Sequence, residues 1–189
     1  MKKLTSILVI FALIFTLAAC SGTKKEDFKT WFNDEFVTAY DAFVKTEYGK
    51  ANAPVPGISL MIISSDYLND VFDYIADGTQ PKNAEITEKD GVYTRTTAGN
   101  DYIVELNEKT TSVKITAKME FMGEERTQFV VNMRESKGKY YIQYLAPEFS
   151  EYFEIEFTAE NGSVKRDSVS ELPYSIFADK IPDKFAKEK

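Results

Sequence analysis

The chain has 189 residues, with 23 Lys+Arg, 30 Asp+Glu, no histidine and a single cysteine, Cys20, for a formal net charge of -7. That length suits one domain. The composition excludes a Ser-His-Asp triad, a Cys-His pair, an imidazole-ligated metal, a zinc ribbon and an internal disulfide. An acidic chain is also a poor partner for nucleic acid, because phosphate contacts need a basic face.

The amino terminus reads as an export signal. Lys2 and Lys3 precede an apolar run from Ile7 to Leu17, and Ala18, Ala19, Cys20, Ser21 and Gly22 follow. A helix over that run rises only about 16 Å, against a bilayer core of about 30 Å. The pattern therefore fits a secretory signal and not a span. Leu17-Ala18-Ala19-Cys20 resembles the lipobox of bacterial lipoproteins. The resemblance covers the first 22 residues or so. It implies a diacylglyceryl group on the Cys20 sulfur, loss of residues 1–19, and a mature protein held in the cell membrane. The domain would then face out of the cytoplasm, at the cell surface or in the periplasm. Without Lys2 and Lys3 the chain keeps 21 basic and 30 acidic side chains. Attachment is then expected from the lipid, since two acyl chains hold firmly and an acidic domain is repelled by anionic headgroups. Residues 20–25 form the lipidated Cys and a tether, of which 21–25 reach at most about 18 Å. Residues 26–189 form a single globular domain.

The first expected element is a helix from Glu26 to Tyr48, stopped by Gly49. Phe28, Phe32, Phe36, Tyr40 and Phe43 make a one-sided aromatic stripe, which reads as core. Ala53-Pro54-Val55-Pro56-Gly57 breaks the chain. Ile58 to Ile63 is a short apolar run that periodicity assigns to neither helix nor strand. A second helix follows over Asp66 to Ala76, with Ser65 as its N-cap, Leu68, Val71, Phe72 and Ile75 on one face, and Asp77-Gly78 as its stop.

From Gly91 the period becomes two. Strands are expected over Val92–Thr97, Asp101–Leu106, Thr111–Met122, Glu125–Glu135, Lys139–Leu145, Glu151–Ala159 and Ser163–Val169. Gly99-Asn100, Gly123-Glu124, Lys137-Gly138 and Asn161-Gly162 supply hairpin chemistry between them. The tail after Pro173 reads as a cover or short helix. The fold class is thus α+β: N-terminal helices packed on a curved antiparallel meander of about six or seven strands. This order of elements resembles the half-barrels of the periplasmic lipoprotein-carrier family and the cone of the nuclear-transport-factor-like fold. No motif accompanies that resemblance, so it implies no binding residues.

Two helices, each about 10 Å wide, leave part of a sheet about 30 Å wide uncovered. The sheet can curl and bury the remainder on itself, or it can leave an apolar cavity, whose candidate lining is Phe36, Met119, Phe121, Phe129, Val131 and Met133. Such a cavity would accept an acyl chain or another amphipathic ligand. Tyr141 and Tyr152 are the expected surface for a second kind of function, docking on an envelope complex. Asp66, Asp70, Asp73 and Asp77 form a solvated acidic face without the loop spacing of a calcium site. No metal site, cofactor motif, phosphate loop or nucleophile elbow is legible. The chain is therefore expected to act by binding and not by catalysis.

Overall fold

The structure, a computed structural model, describes residues 23–53, 66–146 and 151–168. The Cys20 motif, Ser65, Ile58 to Ile63 and the tail after Pro173 lie outside the described residues. The fold is α+β: helices near the amino terminus pack on one antiparallel sheet that does not close. Among the described residues the sheet has eight strands in sequential order: β1 Glu85–Lys89, β2 Val92–Thr97, β3 Asn100–Asn107, β4 Ser112–Phe121, β5 Glu124–Ser136, β6 Lys139–Ala146, β7 Glu151–Phe157 and β8 Gly162–Ser168. Seven of them coincide with the expected strands to within about two residues. β1 is the addition. Its sequence, Glu-Ile-Thr-Glu-Lys, buries only Ile86, so it carries no alternation to read.

The first helix departs most from expectation. Residues 25–43 form one helical stretch, α1, that begins as a 3₁₀ turn at Lys25–Asp27 and becomes a π-helix over Trp31–Val37. The aromatic spacing explains the widening. Phe28, Phe32, Phe36 and Tyr40 recur every fourth residue. In an ideal α-helix each such step overshoots a turn by about 40°, so the fourth ring would lie about 120° off the first. A π-helical stretch winds more slowly and keeps all four rings on one side. All four are buried, at 0–2% exposure.

The helix does not continue to Tyr48. It ends at Phe43, and Thr46 caps a separate helix, α2, over Glu47–Asn52 by accepting the Gly49 N–H at 3.0 Å. Gly49 is therefore inside α2 and is no stop. A Cβ there would lie 2.1 Å from the Phe43 carbonyl oxygen, so glycine permits the close approach of the two helices. The helix Asp66–Asp77, α3, forms as the pattern predicts and ends at Gly78 with φ 78°.

The helices share one face of the sheet. α3 lies over β2 and β3, where Tyr67 stacks on Tyr102 at 4.4 Å and Asp70 pairs with Arg95 at 2.8 Å. Asp73 pairs with Lys29 of α1. The acidic face of α3 is thus partly spent on neighbouring cations. α1 lies over the other half of the sheet. Phe157 of β7 meets Phe36, Tyr40 and Phe43 at 5.5, 5.4 and 5.6 Å. Gly162, expected in a tight turn, is instead the first residue of β8. A side chain there would collide with the Phe43 ring, 2.6 Å from the added carbon.

Both edges of the sheet are occupied at one residue. The Gln80 side chain donates to the Ile86 carbonyl at 2.8 Å and accepts its N–H at 2.7 Å, as a neighbouring strand would. The Tyr48 hydroxyl accepts the Val164 N–H at 3.1 Å. These contacts blunt the edges against pairing with another chain. Truncating Phe157→Ala should cost about 3–5 kcal/mol, read from urea unfolding of the full chain. A loss below about 1 kcal/mol would mean that the ring cluster does not hold helix to sheet.

Candidate functional site

A sequential antiparallel meander sorts its turns into two ends. The β1–β2, β3–β4, β5–β6 and β7–β8 turns share one end. The β2–β3 and β4–β5 turns share the other. The start of the described chain is tied to the first of these ends. Thr23 reaches Thr111, at the base of β4, through its N–H at 3.2 Å and its hydroxyl at 3.1 Å. Lys25 lies over the Tyr93 ring beside the β1–β2 turn, 5.6 Å from its centroid. Thr23 is three positions after Cys20, with Ser21 and Gly22 between them, a reach of at most about 11 Å.

The opposite end carries the most exposed apolar side chains of the sheet. Phe121 is 45% exposed and Met122 is 88% exposed. They form the tip of the β4–β5 hairpin, with Met122 at φ 56° and Gly123 at φ 80°. Positive φ at both positions is the two-residue turn that Asn-Gly or Asp-Gly favours. Elsewhere in the sheet Asp90-Gly91 and Lys137-Gly138 take the same conformation, each with a polar side chain at the first position. Methionine there accepts an unfavourable backbone without gaining burial. A β-bulge between Ala117 and Lys118 precedes the tip, and such a bulge bends the ribbon and increases its twist.

Charges around the tip are mostly paired. Lys118 meets Glu125 at 2.6 Å and Arg126 meets Glu124 at 3.4 Å. Arg126 also stacks over Phe121, 5.3 Å from its centroid. Glu120 and Asp101 make no such pair among the described residues. Beside the tip, on the face away from the helices, a hollow of about 480 Å³ is lined by Thr96, Asp101, Lys118, Glu120 and Glu125. Its walls are mixed: Met119, expected to line an apolar cavity, borders it together with these polar and charged side chains.

The six residues proposed for that cavity separate in the structure. Phe36, Val131 and Met133 are fully buried in the packed core. Met119 and Phe129 are half-buried, and Phe121 stands in solvent at the tip. They do not converge on one enclosed space. Tyr141 and Tyr152 do share the face away from the helices, as their register with Glu156 and Leu145 shows. Tyr141 is half-buried under Arg134, 4.4 Å from its ring centroid. Tyr152 is 5% exposed and buried beside Leu145, which pairs in turn with Val130. It is therefore packing in this fold and offers little surface to a partner. The same row explains why Val130 interrupts the polar face of its strand.

One cluster of titratable groups escaped the sequence, because its members are about 100 residues apart. The π-helical segment brings Glu35 towards Glu135 of β5, whose carboxylate accepts the Trp31 indole N–H at 3.2 Å. Partial burial, then Glu135 and Asp34, push the Glu35 carboxyl above its ordinary range. Burial and the same glutamates push the Tyr140 phenol up. Among the described residues no group of three acidic, histidine or cysteine side chains is placed to hold a metal ion. No described helix is long and apolar enough to cross a membrane.

No family model, no curated protein and no solved structure matches this chain. The likeness in element order to carrier-type half-barrels therefore gains no support from comparison, and function has to be argued from geometry.

A raised carboxyl value means that the fold favours the protonated form of Glu35 more than the unfolded chain does. Its contribution to stability is complete below the ordinary carboxylate range and is lost as pH rises through the raised value. Glu35→Gln should accordingly melt a few degrees higher than wild type at pH 7, with the two curves converging near pH 4. Equal melting temperatures at pH 7 would remove the repulsion with Glu135 from this account.

Proposed function

We propose that the protein is a lipid-anchored, extracytoplasmic interaction protein, acting by binding and not by catalysis. Acylation at Cys20 supplies the anchor, and the β4–β5 tip supplies the contact. The single observation that carries this reading is the separation of the two ends. Thr23, just after the anchor sequence, is held at one end of the sheet. The exposed Phe121-Met122 pair occupies the other, eleven residues further along the strand. At about 3.3 Å per residue that is about 36 Å. A domain tied down at one end with a greasy tip at the other is built to hold that tip away from the bilayer.

Among the described residues the rings of α1 are packed against the sheet, which favours a macromolecular partner over an enclosed lipid-like ligand. The aromatic stripe of α1 occupies the dry face where an acyl chain was expected. Among the described residues the two most exposed large apolar side chains are Phe121 and Met122 of the protruding tip, and a protruding apolar tip needs a pocket on something else.

Two measurements test the reading. A clickable fatty acid fed to the producing cells should label wild type and leave Cys20→Ser unlabelled. An unlabelled wild type would remove the anchor. Met122→Asn should keep or slightly raise thermal stability, because Asn-Gly suits the turn, yet shift the membrane-extracted protein to a smaller complex on native gels. A variant that comigrates with wild type would remove the tip from the function.

A further inference from the structure

The chemistry of the tip also indicates what it meets. We propose that Phe121 and Met122, next to the Glu120 carboxylate and above that of Asp101, dock into an apolar pocket rimmed by basic side chains on a protein that stands clear of the membrane. This rests on the anchored reading for the height of the site, though not for its chemistry.

Three observations converge on that partner. The first is the local cost accepted at the turn. Met122 combines a left-handed backbone with 88% exposure, so neither conformation nor burial within the chain rewards it. A residue that breaks two local rules without a compensating gain points to a use outside the fold. The second is charge. Lys118 and Arg126 are already engaged by Glu125 and Glu124. Glu120 and Asp101 add two further carboxylates, and both border the hollow beside the tip. Asp101, Glu120, Glu124 and Glu125 outnumber Lys118 and Arg126 at this end of the ribbon, and the net negative charge repels an anionic bilayer and attracts a basic rim. The third is position. The tip is at the end of the sheet away from Thr23, about 36 Å along β4, beyond the interfacial layer of the membrane that holds the anchor. The same carboxylates argue against a second copy of this chain as the occupant, because two identical tips would bring like charges together.

The test uses the full-length chain in intact producing cells. A photoreactive phenylalanine analogue replaces Phe121, which keeps an aromatic ring at the tip. A second chain carries the analogue at Lys109, in the β3–β4 turn. The expected result at 121 is an adduct with one discrete protein. Its yield should fall at least about fivefold in Glu120→Lys and by a smaller factor in Glu120→Gln, as a rim charge should behave. The chain labelled at 109 should instead yield adducts with lipid. An adduct at 121 with lipid, an adduct with a second copy, no adduct, or a yield indifferent to Glu120→Lys would each overturn the proposal. Fatty-acid label on the same band reports the anchor separately. Loss of that label with a charge-sensitive adduct intact would sink the anchored reading and leave the tip standing.

Discussion

The aromatic contact between α1 and β7 governs the architecture. Phe157 receives Phe36, Tyr40 and Phe43 within 6 Å, and three further adjustments follow from seating those rings. The helix widens to a π-helix so that a stripe of period four stays on one side. It breaks after Phe43, and Gly49 lets the next helix pass close to the Phe43 carbonyl. Gly162 gives up a side chain so that the Phe43 ring can lie against β8. Each of these is a local departure from ideal geometry, and together they close one half of the core. Aromatic side chains bury 150–250 Å² each and add edge and stacking terms of about 0.5–1.5 kcal/mol, so the departures are small beside what they secure.

A core filled in this way changes what the sheet is for. An open curved sheet with a vacant concave face would be a ligand shell. Here the helices occupy that face, while Gln80 and Tyr48 each occupy a position on a free edge. With one face covered and each edge met at one residue, the ends of the strands are where the most exposed large apolar side chains of the described residues lie. The meander then does the sorting without further instruction, because alternate turns of sequential antiparallel strands must point opposite ways. Thr23–Thr111 assigns one end to the incoming chain, and the longest hairpin presents Phe121 and Met122 at the other. The β-bulge at Ala117 and Lys118 matters here as well, since it twists the last residues of the ribbon away from the plane of the rest.

The strands were legible because each carries its own alternation, as Val113, Ile115 and Ala117 do against Lys114 and Thr116. β1 was not, since one buried isoleucine among charged neighbours has no period. The helix breaks were hidden for a different reason. Gly49 and Gly162 look like punctuation in a sequence, yet both are required by a carbonyl or a ring that arrives from elsewhere in the chain. The same long-range dependence hid the Glu35–Glu135 approach. Among the described residues the six expected cavity residues divide between packed core, as Phe36, Val131 and Met133 do, and the solvent-exposed tip, as Phe121 does, because the aromatic rings of α1 fill the space beside the first three. Phe121 was assigned inward by parity, which its register with Glu124 supports. Parity gives direction, however, and exposure depends on whether anything extends far enough along the strand to cover that position.

Met122 could have been noticed from sequence. A dipeptide of Met and Gly between two long alternating runs is poor turn chemistry, where Asp90-Gly91 follows the usual preference. The stable choice at such a corner is a small polar residue, and the β1–β2 corner of this sheet uses one. A methionine offers instead a flexible, polarizable side chain that adapts to an irregular apolar surface. Placed next to Phe121, whose ring is braced by the Arg126 guanidinium, it pairs an adaptable apolar group with a more rigid one. The rigid ring limits the entropy lost on association, while the methionine accommodates the shape of the pocket. Such a tip gains from being carried by a hairpin, since the strand pairing runs out to Phe121↔Glu124 and fixes its backbone while the side chains of Phe121 and Met122 stay exposed.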